Sequence, residues 1–161
     1  MRSKVIPKYE TLDASPSLMD KYEVTGEGWL KLVATRSFGT VNEGDTGGLI
    51  RNTMLSQSGT CWVEAGCICD NCIILDNAQV KNKSSITNVT LKANSKIDKS
   101  IIEALDDRCK ITLSGNASIN NCNRISVMHK LSMDGEAYIG SIPYTRIDYL
   151  SISGDTQIGN R

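Results

Sequence analysis

The chain has 161 residues, a length suited to one domain, and its 18 basic residues balance 18 acidic ones. An apolar content of 40% excludes a disordered chain, and zero net charge argues against a general electrostatic grip on nucleic acid or on a membrane surface. No apolar run approaches the roughly 20 residues that span a bilayer, and Met1 to Pro7 lacks a signal-peptide stretch, so the expected location is cytoplasmic.

Residues 1–21, with Ser15-Pro16-Ser17, read as a flexible or peripheral N-terminal arm. Residues 22–55 read as an N-terminal β cap. Trp29 to Ala34 alternates as a strand does, and Glu43-Gly44-Asp45 and Gly47-Gly48 mark turns. Residues 56–161 carry a returning phrase: a turn pair, a small residue, any residue, then a β-branched one. It runs from Ser58-Gly59-Thr60-Cys61-Trp62-Val63 to Ser153-Gly154-Asp155-Thr156-Gln157-Ile158. Its last positions are 63, 80, 97, 119, 139 and 158, spaced by 17, 17, 22, 20 and 19 residues. A repeat of this length indicates a solenoid. Aromatics, at 5%, suit a thin prism filled by Val, Ile and Ser.

Within a coil the apolar anchors subdivide further. Val63, Cys69, Ile74 and Val80 are 6, 5 and 6 residues apart, close to a hexapeptide rhythm. Three short strands per coil make a triangular prism, and alternation places two inward residues on each strand. The pairs are Cys61/Val63, Cys67/Cys69, Cys72/Ile74, Ala78/Val80, Ser84/Ile86, Val89/Leu91 and Ser95/Ile97. The expected fold is all-β: a single-stranded β-helix of about six triangular coils behind the β cap. The three walls pass through 63, 80, 97, 119, 139, 158; through 69, 86, 102, 125 and about 147; and through 74, 91, 113, 133, 152.

Ser37-Phe38-Gly39-Thr40-Val41, Gly44 to Ile50 and Leu55 to Val63 resemble the entry segment of YdcK-like proteins over roughly residues 22–80. That family occurs in enterobacteria and, in short forms, in bacteriophages. The resemblance implies a left-handed β-helix related in architecture to trimeric hexapeptide-repeat acyltransferases. It implies fold much more than activity.

Cys67-Ile68-Cys69 with Cys72 has the look of a metal or redox cluster. All three fall on inward positions, as does Cys61, and Cys109 shares the parity of Ile111 and Leu113. A buried thiol is a small hydrophobe. Zinc needs four ligands converging tetrahedrally, which residues on different walls of a filled prism cannot supply. Reduced core thiols are therefore expected, with no metal and no cofactor. Cys122 does not fit a pair and reads as a corner residue.

Two insertions fall at one corner of consecutive coils, where loops often form a binding face. The first carries Glu103, Asp106, Asp107 and Arg108; the second carries Met128, His129 and Lys130. A third irregularity, near Ser141-Ile142-Pro143-Tyr144 and Arg146, sits at a different corner. His129 is the only histidine. In hexapeptide acyltransferases an outward histidine serves as general base, and Asp106 or Asp107 could orient this one. The preferred reading is a solvated loop histidine, because nothing around it marks a coenzyme A site.

The reading that follows is a non-catalytic binding protein whose loop face comprises Glu103, Asp106, Asp107, Arg108, His129 and Lys130. Its partner is an unidentified protein or small molecule, with no membrane and no nucleic acid. Two alternatives stand beside it: a protein that sequesters a nucleotide signal between subunits, and an acyltransferase using His129. Self-association as a dimer or trimer is also expected, because the repeat runs to Ile158 with no polar cap after it.

Overall fold

The computed structural model describes residues 20–106 and 108–160, and within them the returning phrase is a corner leading into a strand. Its second position takes a left-handed backbone in every coil: Gly59, Asp76, Ala93, Gly115, Gly135 and Gly154 have φ between 56° and 70°. At Gly59 the coils lie too close for any side chain; a Cβ there would sit 2.2 Å from the Asp76 carbonyl oxygen. The third position builds a polar ladder up the corner. Thr60 Oγ1 donates to Asn77 Oδ1 (3.0 Å), Asn77 Nδ2 to Asn94 Oδ1 (3.2 Å), and Asn94 Nδ2 to Asn116 Oδ1 (3.0 Å).

The strands stack in chain order. β1 (Tyr22–Thr25) and β2 (Leu30–Ala34) form an antiparallel pair, and β2 is antiparallel to β3 (Thr46–Arg51). With β4 (Met54–Leu55), β3 begins the parallel stack. Coil one is β5 (Trp62–Val63), β6 (Ile68–Asp70) and β7 (Ile73–Ile74). Coil two is β8 (Gln79–Lys81), β9 (Ser85–Thr87) and β10 (Val89–Leu91). Coil three is β11 (Lys96–Asp98), β12 (Ile101–Ala104) and β13 (Lys110–Leu113). Coil four holds β14 (Ser118–Asn120) and β15 (Ile125–Met133), and coil five β16 (Tyr138–Ile139) and β17 (Thr145–Ile152). β18 (Gln157–Ile158) opens a sixth. The described residues contain no helix, hence none long and apolar enough to cross a membrane.

Wall one is the six-stranded sheet β5-β8-β11-β14-β16-β18. Val63, Val80, Ile97, Ile119, Ile139 and Ile158 pair in succession along it, as the spacing predicts. The first five are buried and Ile158 is half-buried. All seven predicted inward pairs of the first coils are buried. Leu55, Ile74, Leu91, Leu113, Met133 and Ile152 form the third wall's column. On wall two, Ile50, Cys69, Ile86, Ile102 and Ile125 stack, but the next member is Thr145. Ile147, expected in that column, pairs with Val127 instead. The chain therefore advances six residues from Ile139 to Thr145, as it does from Ile119 to Ile125, so Ser141 to Tyr144 is an ordinary corner and carries no insertion.

Slim residues fill the prism beside its corners. Cys67, Ser84, Ser100 and Cys122 are all buried at the corner between walls one and two, which accounts for Cys122. There the hydroxyls take up amide hydrogens that the turning backbone leaves over. Ser84 Oγ accepts from Ser100 N (3.1 Å) and Ser100 Oγ from Cys122 N (3.0 Å).

The cap is tied down by side chains. Gln57 Oε1 accepts from Lys21 N (2.7 Å) and Tyr22 N (3.2 Å), and its Nε2 donates to the Tyr22 carbonyl (3.2 Å), as a neighbouring strand would. Tyr22 Oη donates to the Leu55 carbonyl, and the fully buried Lys21 donates from Nζ to the Cys61 carbonyl at 3.0 Å. Trp62 points outward by parity yet is buried, because Phe38 packs on it edge to face at 5.3 Å. Of the arm expected over residues 1–21, only Asp20 and Lys21 are among the described residues.

Val80→Asp places an unpaired carboxylate between Val63 and Ile97. It is expected to cost at least about 4 kcal/mol, and circular dichroism should show a chain unfolded or close to it at ambient temperature. A variant with the wild-type melting midpoint would contradict the column.

Candidate functional site

The corner between walls two and three changes along the solenoid. In the first coils it is a single left-handed asparagine: Asn52, Asn71 and Asn88 have φ of 47°, 54° and 58°. Asparagine tolerates that backbone better than most residues, and Asn71 Nδ2 also donates to Asn88 Oδ1 one coil on. In coil three the corner becomes the excursion 105–109 between β12 and β13. In coil four it disappears. β15 runs unbroken from Ile125 to Met133, pairing with β12 through its first half and β13 through its second, so walls two and three become one sheet.

His129 and Lys130, expected in a second insertion loop, therefore lie on a strand. No glycine or asparagine between Ile125 and Met133 offers a left-handed corner, and Ile125 and Val127 favour extended backbone. Between β15 and β17 the pairing slips by one residue. Val127 faces Ile147 and Lys130 faces Tyr149, so Met128 and His129 together oppose Asp148. Such a bulge re-aims side chains, and here His129 Nδ1 meets Asp148 Oδ1. The carboxylate beside His129 is Asp148, while Asp106, which the sequence offers for that place, is held by Arg108 N.

The five described candidate residues occupy three places. Glu103 lies on the outer face of wall two, accepting from Ser126 Oγ (2.9 Å) and 3.8 Å from Arg124 Nε. Asp106 closes the 105–109 excursion by accepting from Arg108 N at 2.7 Å. That bond and the Arg108 guanidinium hold the Asp106 carboxyl below its usual range. The Arg108 side chain is 93% exposed, and Asp107 lies outside the described residues. Lys130 and His129 sit on β15. Lys110, Lys130 and Tyr149 stand in register on successive coils, with Lys130 Nζ 5.5 Å from the Tyr149 ring centre. Below them a groove of about 390 Å³ runs along the corner past Asn88, Ile73 and Lys110. Lys110, Asp148 and Tyr149 escape the sequence reading.

The His129–Asp148 pair has the parts of a general base, yet both side chains are 73% exposed on an open strand face. The cysteine cluster has the opposite character. All six cysteines are free and buried. Burial pushes the Cys67, Cys69 and Cys122 thiols up, away from the thiolate that metal binding or redox attack requires. Among the described residues no three or more His, Cys, Asp or Glu side chains are placed to share a metal ion. Compared with known protein families, curated proteins and solved structures, the chain matches none of them.

The raised thiols fix a sign for alkaline behaviour. Above the ordinary thiol value of about 8.5 the unfolded chain releases protons that the folded chain keeps, so stability should fall as pH rises through that range. A thiol reagent at mildly alkaline pH should label Cys67, Cys69 and Cys122 only as fast as the protein unfolds. Rapid labelling of the native protein at these three would contradict the burial.

Proposed function

We propose that this protein is a non-catalytic β-solenoid binding protein, engaging its partner through the outer face of β15 and β17. The observation that carries the reading is the bulge between these strands. It lines up His129, Lys130 and Tyr149 on strand backbone, with Tyr149 65% exposed, and Tyr144, 56% exposed, lies at the corner just before β17. Large exposed aromatics beside cations are the residues that dominate interface energetics, and a strand holds them in a fixed geometry. Arg146, outward at the start of β17, extends the face. An acyltransferase would need His129 to work against an acceptor held beside it, and the imidazole stands on an open surface.

Native mass spectrometry of protein taken gently from cells tests the reading. The wild type should carry a bound component, and Lys130→Ala with Tyr149→Ala should weaken its retention by at least about 30-fold, the scale of an interface hot spot. The melting midpoint should stay unchanged. Wild-type protein with nothing bound, or a double variant that keeps the component, would contradict the proposal. So would an acyl-coenzyme A-dependent activity abolished by His129→Ala.

A further inference from the structure

The corner between walls one and two carries a second irregularity. From the inward residue of wall one to that of wall two the chain advances six residues in coils one, two, four and five: 63 to 69, 80 to 86, 119 to 125 and 139 to 145. In coil three it advances five, from Ile97 to Ile102. Both walls stay paired on either side of the short corner, so the missing residue is missing at the corner itself. Lys99 alone stands where coil two has Asn82 and Lys83. The result is a notch of about 980 Å³, the size of a small-molecule site.

Its lining is of two kinds. Lys83 and Lys99 lie on neighbouring coils, and neither ammonium has an ion-pair partner among the described residues. Both hold left-handed backbone, φ 61° and 48°, where the adjoining coils use Gly66 and Asn121. Lysine is a poor choice for that conformation, and strain of this kind collects at functional sites. The nearby carboxylates are turned to another residue. Glu64 Oε2 accepts from Asn82 N at 2.9 Å and Asp98 Oδ1 from Asn82 Nδ2 at 2.6 Å. The lining also includes the apolar Ile101, Ile142 and Pro143, and Asn123 supplies a carboxamide.

We propose that the notch binds a small organic anion, its phosphate or carboxylate held between Lys83 and Lys99 and its apolar body against Ile101, Ile142 and Pro143. Two ammonium groups lining one notch supply two donors for an anion, and the apolar residues select an organic anion over a free ion. This site lies at a different corner from the β15/β17 face and does not depend on it.

Amide NMR titration with phenyl phosphate, benzoate and inorganic phosphate tests the assignment. At least one organic probe should shift the Lys83, Lys99 and Asn123 amides saturably, and inorganic phosphate should bind at least about tenfold more weakly. The stronger organic probe identifies the acidic group. Lys83→Asn with Lys99→Asn keeps a residue suited to left-handed backbone, so its melting midpoint should equal or exceed the wild type's. The same variant should lose at least about tenfold in affinity. Three outcomes would overturn the proposal: no saturable shift with either organic probe, shifts spread evenly over all surface lysines, or equal affinity in the double variant.

Discussion

Each coil of this protein is hydrogen-bonded through its backbone to the coil that follows. Trp62 N donates to the Ala78 carbonyl, Gln79 N to that of Ser95, Lys96 N to that of Ala117 and Ser118 N to that of Ala137, at 2.9–3.1 Å. Every strand therefore copies the path of its predecessor. A coil with one residue too many or too few cannot spread the difference along a wall, because that would turn every inward side chain outward. The mismatch has to appear at a corner or as a bulge. The 105–109 excursion, the slip at His129 and the short corner at Lys99 are three results of that one constraint.

The same constraint made most of the fold legible in the sequence. A wall position is read from parity and from the spacing of β-branched residues, and both signals are strong at Val63, Val80, Ile97, Ile119 and Ile139. Thr145 and Ile147 share parity and differ only in hydropathy, so spacing favoured the apolar residue while the backbone pairing places Thr145 on Ile125. At the other irregularity, extra residues between Ile125 and Met133 read as a loop. Whether a corner persists depends on a residue that accepts left-handed backbone, and the absence of one there was the available signal. The meeting of His129 with Asp148 needed a bulge, which no pattern in either strand announces.

The notch was visible only as a number. The advance of five from Ile97 to Ile102 stands in the sequence, but its meaning comes from the advances of six above and below it. Side-chain chemistry then divides the structure. Thiols and hydroxyls serve as slim core fillers, with Ser84 and Ser100 answering amide hydrogens at the very corner whose outer side forms the notch. Lys21 apart, charged groups lie outside, some of them tied between coils as Arg51 is to Asp70 at 2.5 Å. Lys83 and Lys99 are set apart from the other lysines by their left-handed backbone.

Restoring the missing residue tests most directly the claim that coil-length mismatch creates the functional surface. Inserting one asparagine between Asp98 and Lys99 gives coil three the Asn-Lys corner of coil two, Asn82-Lys83. The account predicts a folded protein with the wild-type melting midpoint and unchanged amide resonances along wall one, in which the stronger of phenyl phosphate and benzoate no longer shifts Lys99 or Asn123. An insertion that unfolds the solenoid, or one that leaves those shifts intact, would contradict it.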